Sequence, residues 1–196
     1  MPSESSKAIP RRLRDPLFTT RVMKGAVLDI GGGPDGFDQW ATLFPLVTSV
    51  RNWDLPDGDA QYLNGVPDES YDAVISSHCL EHMRDPFEAL THWWRVLKPG
   101  GFIAVIIPDE DLYEQGVFPS RFNPDHKMTL TLYKRETWSP RSVNVLAFAA
   151  HLPQCKVFRF TLLDDTYRYD LPRGVDQTGS IVTESAIEFV LRKVAA

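Results

Sequence analysis

The chain has 196 residues, of which 43% are hydrophobic and 24% are charged, and its formal net charge is −5. This length suits one domain with a full core, and the negative charge argues against nucleic acid as the main partner, because phosphate binding needs a basic field. No apolar run approaches the roughly 20 residues of a membrane helix, and Cys79 and Cys155 are too few for a disulfide framework. We expect a single domain over residues 1–196, cytoplasmic and without membrane contact, and the oligomeric state stays open.

The N-terminal segment, residues 1–20, is predicted to be a loose arm, because prolines interrupt it at positions 2, 10 and 16. Its first three arginines, Arg11, Arg12 and Arg14, are followed by Arg21. Two interpretations stay open for them: a solvated arm, or a lid whose arginines contact an anionic acceptor.

Alternating strand and helix patterns follow the arm. Residues 26–30, 46–53 and 71–76 predict strands, the last of the buried parallel type, and residues 37–43 predict a short helix. Pro86 is expected to begin a helix with Asp85 as its cap. Further along, we expect a strand at 102–107, a lid insertion at 109–137, a helix at 140–151, and strands at 156–163 and 186–193. This order predicts a doubly wound, mostly parallel α/β sheet.

A glycine-rich turn follows the first strand and is the most informative motif. Gly31-x-Gly33-x-x-Gly36 matches a dinucleotide fingerprint, with Asp54 in the place of the ribose-binding acid. Asp29, at the end of the strand, argues against a pyrophosphate, because a carboxylate there would repel it. A ligand that carries an ammonium and a sulfonium fits this carboxylate better. S-adenosylmethionine is such a ligand.

Five motifs in order then suggest a family. They are Leu28-Asp29-Ile30-Gly31-x-Gly33, Gly58-Asp59-Ala60, Ser70-Tyr71-Asp72-Ala73-Val74-Ile75, Leu80-Glu81-His82 and Arg95-Val96-Leu97-Lys98-Pro99-Gly100-Gly101. With them, residues 27–108 resemble a class I methyltransferase of the methyltransferase domain 11 type, the group that includes ubiquinone- and menaquinone-pathway enzymes. The resemblance implies S-adenosylmethionine as cofactor and a Rossmann-like sheet whose antiparallel last strand residues 186–193 would supply. One departure is the short segment 55–58, where the family usually has a helix and a further strand.

The resemblance also implies roles for individual residues. Asp29, Gly31, Gly32 and Gly33 would hold the methionine end of the cofactor, Asp54 the ribose hydroxyls, and Asp59 with the Ala60 backbone the adenine. Ser77 would border the same crevice, at the end of the third strand, and Trp53 could flank the adenine. Alternatives stay open: Asp54 could instead cap the turn at 55–58, and Asp57 competes with Asp59.

Three histidines, with Tyr113 as a further candidate, are the possible bases for an acceptor that must lose a proton. His78 follows a strand end, His82 opens a helix, and His126 lies in a polar patch of the insertion. Histidine titrates near neutrality, so each could accept a proton at working pH. For His82 the alternative is that it only ties loops together.

The spacing His78-x-x-Glu81-His82 is also that of metal ligands, and His126 could complete such a site. It matches the H-x-x-E-H of inverted zinc proteases, but that motif belongs on a continuous helix, whereas this one spans a strand-to-helix turn. The sequence therefore predicts neither a bound metal nor a protease.

The predicted activity is methyl transfer to oxygen or nitrogen of a small-molecule acceptor, such as a sugar or another anionic metabolite. Arg121, Lys127, Arg168 and Arg173 are candidate contacts for an anionic acceptor. The insertion also holds aromatic residues that either pack as a lid or form a stacking surface: Tyr113, Phe118, Phe122, Tyr133 and Trp138. Alternative functions are a methyltransferase-like binding or regulatory module without turnover, and a methyltransferase that acts on proteins or other large polymers.

Overall fold

A computed structural model describes residues 4–195, and a six-stranded sheet forms its centre. Its strands are β1 Gly25–Ile30, β2 Val47–Trp53, β3 Tyr71–Ser77, β4 Leu97–Pro108, β7 Cys155–Leu163 and β8 Ala186–Lys193. They lie in the order β2-β1-β3-β4-β8-β7. Strands β1 to β4 pair in parallel, and β8 is antiparallel to both of its neighbours, β4 and β7. The predicted Rossmann-like topology with an antiparallel last strand is confirmed.

Among residues 4–195, three α-helices and a small second sheet flank the central sheet. The helices are α1 Glu4–Arg14, α2 Pro86–Arg95 and α3 Leu146–His151, and the second sheet pairs β5 Thr129–Thr131 with β6 Ser142–Asn144. Asp85 caps α2 as expected, accepting hydrogen bonds from the backbone N–H groups of Phe87 and Glu88. Within residues 4–195, no helix is long and apolar enough to cross a membrane.

The core lies on both faces of the sheet, because successive side chains of a strand point to opposite sides. One face packs against α2 and α3 and includes Leu28, Ile30, Val74, Ile103, Val105, Leu90, Trp93 and Phe148. The other face packs against α1 and the chain that follows it, and includes Val27, Ala73, Ile75, Ala104, Ile9, Phe18, Val22 and Phe37. Both faces of the sheet are therefore covered, which leaves the strand ends for a ligand.

The N-terminal segment is the main correction to the predicted elements. Residues 4–14 form α1 instead of a loose arm, and two of its arginines, Arg11 and Arg12, form ion pairs with acids in and just before the last strand. Arg12 contacts the fully buried Glu188 at 3.0 Å, and Arg11 contacts Glu188 at 2.6 Å and Glu184 at 2.8 Å. These arginines are therefore neither free in solvent nor available to an acceptor.

A second correction concerns residues 140–151, which were expected to form one helix. The first part is β6, and only Leu146–His151 is helical. Val143 is β-branched and its segment finds a partner in β5, so pairing with the insertion outweighs local helix formation.

The short segment after β2 behaves as its length requires. Residues Leu55–Asp57 form one 3-10 turn, and β2 is left at the edge of the sheet. The helix and strand that the family usually places here are absent from the described chain at this point.

Candidate functional site

A cavity of about 600 Å³ opens at the carboxyl ends of β1, β2 and β3. This is the edge at which open α/β sheets bind their ligands. Its wall consists of Gly31, Trp53, Asp54, Leu55, Gly58, Asp59, Ala60, His78, Cys79, His82, Met83, Arg84 and Asp125. Most of the predicted cofactor and acceptor positions therefore meet in one place.

The glycine-rich turn approaches its neighbours too closely for a side chain. Gly31 has a φ of +78°, and a Cβ there would lie 2.6 Å from the Cβ of Cys79. At Gly33, with φ of +53°, a Cβ would lie 3.3 Å from Oδ2 of Asp54. The turn thus presents bare backbone beside Cys79 and Asp54, where a ligand can reach it.

Asp29 lies beneath this turn and not in the cavity wall. It is only 2% exposed, and its carboxylate accepts a hydrogen bond of 2.8 Å from the backbone N–H of Phe37. A Cβ on Gly32 would lie 2.4 Å from its Oδ2. Burial raises the pKa of Asp29 to about 6. Asp29 therefore supports the turn from below and lies outside the cavity wall.

Asp54 caps the following turn, one of the two roles that the sequence left open, and does so with one of its two oxygens. One carboxylate oxygen, Oδ1, caps the following turn by accepting the N–H of Leu55 at 2.8 Å. The other oxygen, Oδ2, faces Gly33 across the cavity mouth. Asp57 completes the capping box by accepting the N–H of Asp54, so it is turned away from the cavity.

Asp59 and Ala60 form the next part of the wall. Asp59 accepts the N–H of Gln61 at 2.9 Å and pairs with Arg84 at 2.8 Å. A carboxylate has about four acceptor positions, so two remain for a ligand. Trp53 closes this side, with its indole N–H bonded to the carbonyl of Gly58.

The four remaining predicted site residues separate into two groups. His78 and His82 line the cavity. Ser77 is buried at the end of β3, outside the cavity wall, and His126 has a side chain only 2% exposed. His126 was expected to face the acceptor, but the insertion folds back and encloses it, so in this structure it is not placed to touch one.

All three histidines instead converge on Glu81, whose side chain is fully buried. Oε1 of Glu81 lies 3.4 Å from Nδ1 of His78, 4.0 Å from Nε2 of His82 and 3.8 Å from Nε2 of His126. Burial alone would raise the pKa of Glu81, but the three histidines together hold it below its ordinary value. The cluster borders the acceptor end of the cavity through His78 and His82.

Several residues at the candidate site were given no individual role by the sequence. Cys79, Arg84 and Asp125 line the cavity, and Glu114 supports His126 at 2.6 Å. None of these belongs to a motif, and only the folded insertion brings Asp125 and Glu114 to the site. Conversely, four predicted acceptor contacts lie outside the cavity wall: Arg121, Lys127, Arg168 and Arg173.

The strand order, the glycine turn and the acids at the strand ends define a class I methyltransferase fold. Comparison with known proteins agrees. Residues 28–105 match the family model described as "Methyltransferase domain". A segment of 59 residues is 36% identical to an uncharacterised methyltransferase of Schizosaccharomyces pombe, and it covers 30% of this chain and 20% of that protein. The matched segment thus spans about a fifth of the length of this curated relative.

Solved structures show the same fold. A SAM-dependent methyltransferase from Archaeoglobus fulgidus matches with a TM-score of 0.55 at 19% identity, covering 97% of this chain and 94% of that one. A proposed S-adenosylmethionine-dependent methyltransferase from Listeria monocytogenes matches with a TM-score of 0.60 at 13% identity, covering 98% and 99%. The chain thus matches the methyltransferase domain family over residues 28–105, and it has the fold of S-adenosylmethionine-dependent methyltransferases.

Proposed function

We propose that this chain binds S-adenosylmethionine in the cavity and transfers its methyl group to oxygen or nitrogen of a small-molecule acceptor. The observation that carries the proposal is the cavity itself. Its wall combines Gly31 of the bare turn, three acids and two histidines around a single space at the switch point of the sheet.

Within this cavity, each part of the cofactor has a matching wall. The Gly31 turn would hold the methionine end, and Oδ2 of Asp54 faces the position expected for the ribose hydroxyls. Asp59 and the Ala60 backbone would contact the adenine. In this orientation the methyl group points toward His78 and His82, where the acceptor would enter.

The chemistry asks for little beyond alignment. The acceptor atom attacks the methyl carbon, the carbon–sulfur bond breaks, and sulfur takes the electron pair as the sulfonium becomes a thioether. Because the donor is already activated, holding the two reactants in line supplies most of the acceleration. A hydroxyl acceptor also loses a proton, and His78, which lines the cavity, would accept it.

The cavity wall gives little support to a strongly anionic acceptor. Arg84 is the one Lys or Arg side chain among its described residues, and it is paired with Asp59. Sugars and other neutral hydroxyl compounds therefore fit the wall better than phosphorylated ones. The small volume of the cavity favours a metabolite over a protein or polymer as the acceptor.

Both cysteines are free, which supports the predicted cytoplasmic location.

Calorimetric titration of the purified protein with S-adenosylmethionine, and with NAD as a control, tests the cofactor half of the proposal. Asp54→Asn keeps the capping oxygen but removes the charge, and we expect it to lower affinity for the cofactor at least tenfold. Asp57→Asn is the matched control, since it makes the same charge change in the same turn but outside the cavity wall. Equal affinity of the Asp54 variant and the wild type would contradict the assigned ribose site.

Turnover separates the enzyme from a binding module. With an acceptor panel that begins with sugars, release of S-adenosylhomocysteine would support methyl transfer. Tight cofactor binding with no product from any acceptor class would favour the regulatory module instead. Tight NAD binding without methyl-donor binding would reject the proposal.

A further inference from the structure

We infer that Glu81, His82 and His126 form a binding site for a divalent transition-metal ion at the acceptor end of the cavity. One ligand atom from each of the three residues lies within 4.8 Å of the other two. Ligands of a tetrahedral zinc ion, at roughly 2.0–2.2 Å from the metal, are separated by about 3.4 Å. The observed separations of 3.8 and 4.0 Å from Glu81 to the two imidazoles need only a small contraction to reach this geometry.

A carboxylate holds each of the two histidine rings, so that the other ring nitrogen faces Glu81. Nδ1 of His82 lies 2.8 Å from Asp125, and Nδ1 of His126 lies 2.6 Å from Glu114. Ionised carboxylates only accept hydrogen bonds, so each Nδ1 carries the hydrogen, and in the neutral ring Nε2 keeps a lone pair. Both Nε2 atoms face Glu81. A carboxylate behind each histidine is the usual support of metal-ligating imidazoles.

The Glu81 carboxylate lacks hydrogen bonds from the described residues. Neither of its carboxylate oxygens has a hydrogen-bond partner among residues 4–195, although both are buried. Glu110, a second buried glutamate nearby in the chain, accepts hydrogen bonds from Thr129, Lys134, Thr137 and Ser142. Burying a carboxylate without hydrogen-bond donors destabilises the folded protein unless a cation compensates the charge. The fold thus satisfies Glu110 with protein groups and leaves Glu81 for another ligand.

The cluster around the histidines also carries negative charge that no Lys or Arg of the described chain balances. Four carboxylates surround the histidines, but Lys7 pairs with Glu4 and Lys127 pairs with Asp125, each at 2.6 Å. Glu81 and Glu114 remain, both buried and without a Lys or Arg partner among the described ion pairs. The two negative charges of these carboxylates match one divalent cation.

The ligand set also selects the kind of ion. Two imidazoles and one carboxylate suit zinc, iron(II) or cobalt(II), whereas magnesium and calcium prefer oxygen ligands alone. Three protein ligands leave at least one position open, and His82 lies on the cavity wall. This last point rests on the proposed function: the open position would bind the acceptor oxygen and lower the pKa of its hydroxyl before methyl transfer.

Equilibrium dialysis of the chelator-treated protein with zinc tests the site without any activity assay. We expect one ion per chain, and a visible absorption spectrum of low-coordinate cobalt when cobalt replaces zinc. Glu81→Gln should lower zinc affinity at least a hundredfold, and Glu114→Gln, which only loosens the His126 ring, by 10- to 100-fold. His151→Ala removes a histidine outside the cluster and should bind zinc like the wild type.

Thermal unfolding gives an independent reading. Zinc should raise the Tm of the wild type and of His151→Ala but not of Glu81→Gln, and the metal-free Glu81→Gln protein should remain folded. Absence of zinc and cobalt binding by the wild type, or unchanged affinity in Glu81→Gln, would overturn the inference. S-adenosylmethionine titration of the same samples keeps the two proposals apart, because cofactor binding without zinc binding would remove only the metal site.

Discussion

The Asp29 carboxyl lies in a place where its ionised form is poorly solvated. Its pKa of about 6 in the folded chain stands above the roughly 3.9 of an unfolded aspartate, because burial disfavours the charge. Its contribution to stability is therefore complete below about pH 4 and is lost as the pH rises through 6. Near pH 7.5 this loss amounts to at most about 3 kcal/mol.

Asp29→Asn should remove this pH dependence, since the amide oxygen can still accept the N–H of Phe37 without ionising. Urea unfolding between pH 4 and pH 7.5 measures the effect. We expect the variant to lose less stability than the wild type over this range, with Asp109, whose pKa is also raised to about 6, supplying the remaining slope. Parallel pH curves for the two proteins would contradict the assignment.

Position 31 favours glycine for two reasons, its left-handed backbone and its close contact with Cys79, and the two effects on stability can be measured separately. Gly31→Ala adds a left-handed backbone penalty of about 1–2 kcal/mol and a contact with Cys79. Gly65 is a matched control because its φ is +81° and a Cβ there meets nothing within 4 Å. Gly65→Ala should show the backbone penalty alone, and Gly31→Ala a larger loss in urea unfolding. Equal losses would mean that the turn is not packed against Cys79.

At the scale of elements, α1 depends on contacts from the far end of the chain. An isolated helix of 11 residues is marginal in water, and Pro10 lies inside it. Its arginines bind Glu184 and Glu188, more than 170 residues away in the chain. A local reading of residues 1–20 could not foresee partners at this separation, which is why the loose arm was predicted.

Glu188→Gln tests this docking, because the buried Arg12 would lose its charged partner. We expect a loss of about 3 kcal/mol in the free energy of unfolding. Arg168→Ala breaks an exposed pair with Asp170 and is expected to leave stability unchanged within error. If both variants unfold like the wild type, α1 is not held by this ion pair.

At the scale of the whole molecule, the sheet could be predicted because its strands are short apolar runs between turn signals. β1, β3, β7 and β8 lie within about two residues of the predicted ranges. The meeting of Gly31, Asp54 and Asp59 was also predictable, because parallel strands bring their carboxyl ends to one edge. The grouping of Glu81 with the three histidines could be suggested from spacing, but the burial of Glu81 and the supporting contacts of Asp125 and Glu114 could not, since they depend on how the insertion folds back over the turn before α2.

The measurement that tests the account most directly is a crystal structure of the protein with S-adenosylhomocysteine. We expect the ribose on Asp54, the adenine beside Asp59 and Ala60, and the sulfur directed toward His78 and His82. The glycine turn should contact the methionine end. Ligand bound elsewhere, or reversed so that adenine lies at the histidines, would contradict the proposed function of this cavity.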